Sequence, residues 1–212
     1  MKRLAIIGSS DLAQLIAYHA VADKQYEVVG FYDDFKNHGD NIEGVIVLGK
    51  INNIENDYKA GKFDLLMSGI GYKYMDLRKS SFEKLCKTIP FAKLIHSSCN
   101  VDGSATISSG CFLLPGCTLD RNVKLGENVL LNTGCVIAHD STVDTHSFLS
   151  PAVAIAGFSS VGKCCIIGIN TTIIDNIKVG DHVQTGGGAV VIESINEPGL
   201  YIGVPAKKIV DK

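Results

Sequence analysis

From residue 95 onward one aliphatic side chain stands at every sixth position: Ile95, Val101, Ile107, Leu113, Leu119, Leu125, Leu131, Ile137, Val143, Leu149, Ile155, Val161, Ile167, Ile173 and Val179. Thr185 interrupts the column and Val191 resumes it. Four places after each aliphatic comes a small or slim residue, such as Cys99, Cys111, Cys117, Cys135, Ser141, Ser147, Ser159, Cys165 or Thr171, and neither column holds a charge. A helix repeats near 3.6 residues and a half-buried strand near 2, so neither produces this spacing. Six residues is the period of a β-helix, in which each hexapeptide forms one short strand and a turn. Three such sides close a coil of about eighteen residues, with both columns facing inward and the coils pairing as parallel strands about 4.8 Å apart. An alternating sandwich does not hold a six-residue phase over this length.

The first ninety-odd residues follow a different pattern. Leu4 to Ile7 is an apolar run ending in Gly8-Ser9-Ser10, and Leu12, Leu15, Ile16 and Ala20 then recur at helical spacing behind Asp11, a candidate cap. Strands are expected at Glu27 to Tyr32, Val45 to Leu48 and Phe63 to Met67. A helix from about Tyr74 to Thr88, marked by Leu77, Phe82 and Leu85, is closed by Pro90. Strand–turn–helix alternation predicts a small parallel sheet flanked by helices. The expected organisation is therefore a Rossmann-like α/β domain over 1–94 and a parallel β-helix over 95–212.

Gly8, Ser9 and Ser10 occupy the place where an α/β sheet binds phosphates, between a strand end and a helix N-terminus. Asp33 closes the second strand, where an acid can take ribose hydroxyls. The full G-x-G-x-x-G is absent, since Gly8, Ser10 and Ala13 stand where three glycines would. A nucleotide smaller than a dinucleotide fits this turn, and a plain tight turn without ligand is the alternative. On the solenoid His139 is the third residue of its hexad, outside both inward columns and beside Asp140, which makes it a candidate general base. One coil on, Gly157 stacks over it and leaves room for a ligand or eases a turn. Gly186-Gly187-Gly188 offers bare backbone N–H groups to amides or phosphates.

Composition narrows the remaining choices. Twenty basic and 22 acidic residues give a net charge of −2, which argues against a nucleic-acid or anionic-membrane surface. No apolar run approaches a membrane helix, and Met1 to Gly8 runs directly into a strand pattern without a signal peptide. Of seven cysteines, five lie in the small inward column and read as fillers rather than metal ligands or disulfides. An odd number of thiols without a secretion signal fits a reducing cytoplasm.

The hexapeptide column resembles that of the hexapeptide acyltransferases, whose prism is a left-handed β-helix. A Rossmann-like unit ahead of it resembles the sugar acetyltransferases acting on bacillosamine, perosamine and sialic acid. Phe31-Tyr32-Asp33-Asp34-Phe35-Lys36 is similar to their second-strand motif, which brings Asp34 beside Asp33 into the acceptor site. At the first turn many relatives have Gly-His-Gly where this chain has Asp11-Leu12-Ala13. The resemblance implies His139 as base, Asp140 as its support, and Asn132 seven residues before the base. It also implies acetyl-CoA as cosubstrate, a sugar or nucleotide-sugar acceptor, no metal, and a homotrimer with the coenzyme between chains. Relatives carry a second histidine nine residues after the base. Here Phe148 stands there, so that either Phe148 packs on the coenzyme or that contact is lost, with His146, two places earlier, a candidate substitute for that histidine. Ile169 and Gly187 match coenzyme-contacting positions, and the tail Gly203 to Lys208 is typical of the family. Two rival readings are a zinc hydratase of the carbonic-anhydrase type, for which His139 and His146 are spaced seven rather than five apart, and an inactive nucleotide-binding scaffold.

Overall fold

The structure is a computed structural model that describes residues 1–209, and it divides after Leu94 into two compact units. In the first unit β1 (Lys2–Ile7) is central, with β2 (Tyr26–Tyr32) and, after β3 (Asn41–Ile42) and β4 (Val45–Gly49), β5 (Leu65–Ser68) as neighbours in the order β3-β4-β2-β1-β5. All these pairings are parallel except β3 with β4. β1 is followed by α1 (Asp11–Ala22), β4 by the short α2 (Ile54–Lys59), and β5 by α3 (Met75–Leu85). Consecutive buried residues in β1, Leu4 to Ile7, are what a strand covered on both faces requires.

Three local expectations are corrected. Asp11 does not cap α1: Ser10 takes the N-cap position in extended backbone, its side chain makes no capping bond, and Asp11 lies in the first turn. Leu77 does not mark the buried face of α3, since it is 49% exposed while Arg78 is 1% exposed. The guanidinium of Arg78 donates to the Ser68 and Ile70 carbonyls (3.2 and 3.0 Å), so that a buried cation pins the loop after β5. The turn of helix at α2 went unread because it is short and polar.

The second unit is a left-handed parallel β-helix with three sides. Side one runs from Leu94–Ile95 through Phe112–Leu113, Leu130–Leu131, Phe148–Leu149 and Ile166–Ile167 to Val183–Thr185, then adds Gly199–Ile202 and Lys207–Lys208. Side two stacks Asn100–Val101, Thr118–Leu119, Val136–Ile137, Ala154–Ile155, Thr172–Ile173 and Val190–Val191. Side three stacks Thr106–Ile107, Lys124–Leu125, Thr142–Val143, Ser160–Val161 and Lys178–Val179. Thr118 pairs with Val136 and Val136 with Ala154, so a coil takes 18 residues (136 − 118). The aliphatic column fills the prism, each residue from Leu113 to Val179 being buried. Each such side chain contributes about 1.5–3 kcal/mol over its exposed state.

From Gly110 to Gly188 every turn passes through one residue three places after the column position, held in the left-handed region. Asn122, Asn128, Asp140, His146, Asn170, Asn176 and His182 lie there at φ of 56° to 64°, with Gly110, Gly116, Gly134 and Gly188 among the glycines. These residue types tolerate that conformation. Ala152, Phe158 and Cys164 do not favour it and adopt it nonetheless.

The small column is more than filler. Cys99, Cys111, Cys117, Cys135 and Cys165 each point an S–H at the carbonyl fifteen residues ahead, at 3.1 to 3.3 Å. Ser141, Ser147 and Ser159 do the same with a hydroxyl at 2.7 to 2.9 Å. The thiols thus satisfy backbone oxygens inside the prism, a weak-donor version of what serine does there. Thr185, the break in the aliphatic column, is 2% exposed. Its hydroxyl pairs with that of Thr171 (2.9 Å) and accepts the Gly168 N–H (2.8 Å).

Candidate active site

His139 follows Ile137 by two places, at the corner where side two gives way to side three. The next residue, Asp140, is bent back by its left-handed backbone (φ 58°), which brings its carboxylate Oδ2 to 3.1 Å from His139 Nδ1. In the neutral imidazole that carries its proton on Nδ1, this nitrogen donates to Asp140 and Nε2 keeps its lone pair. The other carboxylate oxygen, Oδ1, accepts from Asn122 Nδ2 at 2.9 Å, and Arg121 Nη2 reaches Oδ2 at 3.4 Å. Asn122 and, after it, His139 hold the Asp140 carboxyl below the usual carboxylate range against the opposing effect of burial, with Arg121 adding a lesser pull downward. Asp140 therefore stays ionised where an imidazole acts as a base.

The space above Gly157 is filled by the His139 ring itself. A β-carbon on Gly157 would come within 2.7 Å of Cε1 and 2.9 Å of Nε2. Gly157 is thus the surface on which the imidazole lies, rather than an open berth. Beside the ring stands Phe158, the two ring centroids 5.1 Å apart and nearly perpendicular at 83°. Arg121, Asn122 and Phe158 were missed in the sequence, although each lies 18 residues from His139 or Asp140 and the repeat that located Gly157 locates them too.

The remaining solenoid residues lie elsewhere. Asn132 sits on side one and turns its Oδ1 back onto the Thr133 N–H (2.8 Å). Phe148 and His146 are 6% and 4% exposed, and His146 Nδ1 lies 3.1 Å from Asn128 Nδ2. Both are buried in this chain. Ile169 and Gly187 are brought together at the corner between side one and side two: a β-carbon on Gly187 would touch Ile169 Cγ2 at 2.9 Å. Ile169 is 55% exposed. Side two, flanked by this corner and that of His139, turns outward Val136, Ala138, Ala154, Ala156, Thr172 and Ile174, which line a shallow depression with Asp175. Side three instead turns out Lys124 and Lys178.

In the first unit the turn and the acid meet. The Ser9 hydroxyl donates to Asp33 Oδ2 at 2.6 Å, and the Phe35 N–H donates to Asp33 Oδ1 at 2.8 Å. Gly8 makes the turn at φ 84°, and its N–H donates to the Tyr32 carbonyl at the end of β2. Ser10 is exposed at the start of α1. Asp34 accepts the Ile51 N–H (2.9 Å), and Lys50 Nζ clamps the Asp34 and Lys36 carbonyls (2.8 and 2.7 Å). Among the described residues no three His, Cys, Asp or Glu side chains are grouped to hold a metal ion, and no helix is long and apolar enough to cross a membrane.

Residues 3–85 match the family described as the PglD N-terminal domain. Over nearly its whole length the chain is similar to GDP-perosamine N-acetyl transferase from Caulobacter crescentus, solved with CoA and GDP-perosamine: 26% identity, TM-score 0.93, covering 100% of this chain and 98% of that one. The acetyltransferase domain of PglB from Neisseria gonorrhoeae FA1090 is as similar in fold, at 26% identity and TM-score 0.90, covering 99% and 100% of the two chains. In fold the chain is similar throughout to these sugar acetyltransferases. It shares with them the α/β unit followed by the left-handed β-helix. Curated relatives match over shorter stretches. The UDP-3-O-acylglucosamine N-acyltransferase of Bordetella avium is 31% identical over 106 residues, 48% of this chain and 29% of that protein. The protein of the same description from a Janthinobacterium species is 32% identical over 115 residues, 54% and 31%. The chain thus spans about a third of the length of the curated relatives it matches.

Proposed function

We propose that this protein transfers an acetyl group from acetyl-CoA to an amino or hydroxyl group of a nucleotide-linked sugar, with His139 as general base. The observation that carries the reading is the His139–Asp140 pair seated on Gly157, in a chain whose fold is that of enzymes solved with CoA and GDP-perosamine. His139 Nε2 takes the acceptor's proton as its nitrogen or oxygen attacks the thioester carbon. Asp140 fixes the tautomer and stabilises the imidazolium. His139 then returns the proton to the departing thiolate as the carbon–sulfur bond breaks. Ile169 and Gly187 would contact the coenzyme, the first through an exposed side chain and the second through bare backbone. Gly8, Ser9, Ser10 and the Asp33–Asp34 loop would receive the acceptor's nucleotide.

The assembly we propose is a homotrimer. The coenzyme residues and the base lie on different corners of the prism, and the face between them turns out small apolar side chains without a lysine. A half-exposed base cannot exclude water by itself. A second copy laid on side two supplies the missing wall and gives one shared site per interface. The test is a panel of UDP- and GDP-linked amino sugars and free sialic acid with acetyl-CoA, read by thiol release, on the parent and on His139→Ala. Loss of about 10²–10⁴ in kcat in the variant, with acetyl-CoA binding unchanged, is expected. Retention of more than half the rate removes His139 from the mechanism. Light scattering at assay concentration should give three times the 22.7 kDa chain mass.

A further inference from the structure

The corner stack that holds Asp140 reads Asn122, Asp140, Phe158 and Asn176, one residue per coil, all with φ between 57° and 59°. Three of the four belong to the types that accept the left-handed region at little cost. Phe158 does not, and among the described residues no other Phe or Tyr has a positive φ. Core packing does not account for it, because Phe158 is 60% exposed. A bulky residue kept in an unfavourable backbone state, at a corner where asparagine stands one coil further on, points to a role that outweighs the strain. The contact it makes is with His139, edge to face at 5.1 Å and 83°, within the range that aromatic pairs prefer.

We propose that Phe158 is a positioning residue for the base: its ring closes the open flank of the His139 imidazole and holds it in the reactive orientation. Asp140 restrains one ring nitrogen and Gly157 supports the ring against the backbone. Neither stops a half-exposed imidazole from swinging sideways about its own bonds. Phe158 fills that direction, which explains why it replaces the asparagine that the corner would favour. The proposal rests on the reading of His139 as base, and the test separates the two.

Kinetics of the full chain are measured for Phe158→Asn, Phe158→Tyr and His139→Ala with acetyl-CoA and the acceptor found in the panel. Asparagine suits the left-handed corner, so Phe158→Asn should melt no lower than the parent. Its kcat should fall by about tenfold or more, the scale on which misplacing a catalytic group acts, with both KM values within about twofold of the parent. Phe158→Tyr keeps the ring and should keep kcat within about twofold to threefold. A Phe158→Asn enzyme with parental kcat overturns the proposal. So does a loss carried by a raised KM, which would make Phe158 a substrate contact, or a Phe158→Tyr enzyme as slow as the asparagine variant. Full activity in His139→Ala sinks the underlying reading instead, whereas a dead His139→Ala beside an unimpaired Phe158→Asn sinks this inference alone.

Discussion

The imidazole of His139 rests on the backbone of Gly157, so closely that a methyl group on Gly157 would overlap Cε1 at 2.7 Å. The strands carrying the two residues are in register one coil apart, Val136 beside Ala154 and Ile137 beside Ile155. Gly157→Ala should therefore push the ring off its seat rather than break the coil, because the backbone there needs no positive φ. Expected are a kcat lower by about tenfold to a hundredfold and a melting temperature within a few degrees of the parent. Steady-state kinetics with calorimetry on the same sample checks both, and an unimpaired kcat would show that the ring's position does not matter.

Asn122 and Asp140 supply a pH dependence. Asn122 donates to Asp140 Oδ1 and is the first cause of that carboxyl's lowered pKa. Asn122→Asp removes the donor and sets a like charge beside it, and both changes raise the Asp140 pKa. A protonated Asp140 no longer supports the imidazolium. The ratio of variant to parent kcat/KM should fall steadily as the pH is lowered from about 8 to about 5. A ratio independent of pH would detach Asn122 from the base.

In the first unit Asp33 is bound on both oxygens by its own chain, to Ser9 Oγ and to Phe35 N–H. Removing it loosens the turn that would hold the nucleotide. Asp33→Ala should raise KM for the acceptor by about tenfold or more, the scale on which a misplaced binding group acts, and leave KM for acetyl-CoA unchanged. Equal effects on both constants would point to general damage of the fold.

The thiols should be quiet in the folded protein. Cys117 is pushed up to about 12, chiefly by its bond to Cys135 and then by burial; the same bond lowers Cys135, which is shielded by being fully buried, and burial pushes Cys165 up to about 11. Only thiolates react readily. Native protein should label fastest at the partly exposed Cys86 and more slowly at Cys99. Denatured protein should give all seven. Fast native labelling of Cys117 or Cys165 would mean that the prism opens.

Ala152 offers a gain in stability. It is exposed, remote from the base in sequence, and held at φ 58°. Ala152→Gly relieves the left-handed cost, of about 1–2 kcal/mol, against a loss of about 0.5–1 kcal/mol from the freer unfolded chain. Denaturant titration should show a net gain of about 0.5–1 kcal/mol, with kcat unaltered. A loss of stability would show that alanine is unstrained there.

Much of this was legible because the repeat is arithmetic. The six-residue column fixed what points inward, and His139 and Asp140 stood out as chemistry placed outside it. The corner column was equally present, as Asn122, Asn128, Gly134, Asp140 and His146, but polar residues in turns read as solvated loop until their φ values show a common conformation. Whether an outward position is open depends on what packs against it, so the burial of Phe148 was invisible to a pattern that speaks only for the interior. The donor role of the thiols needed a distance between coils. Gly157 allowed two readings from its missing side chain, room for a ligand or an easier turn, and the position of the imidazole supplies a third, a seat for the ring.

The fixed advance of 18 residues per coil, seen in the pairing of Thr118 with Val136, gives the prism a grammar for insertions and deletions. Adding or excising one whole coil leaves every corner facing as before, so length can change above or below the base without altering what surrounds it. The same edit between Asp140 and Gly157 would slide a different residue under the imidazole. Natural variants of this chain should accordingly differ in length by whole coils at the two ends of the prism and keep the step from His139 to Gly157 at a single coil.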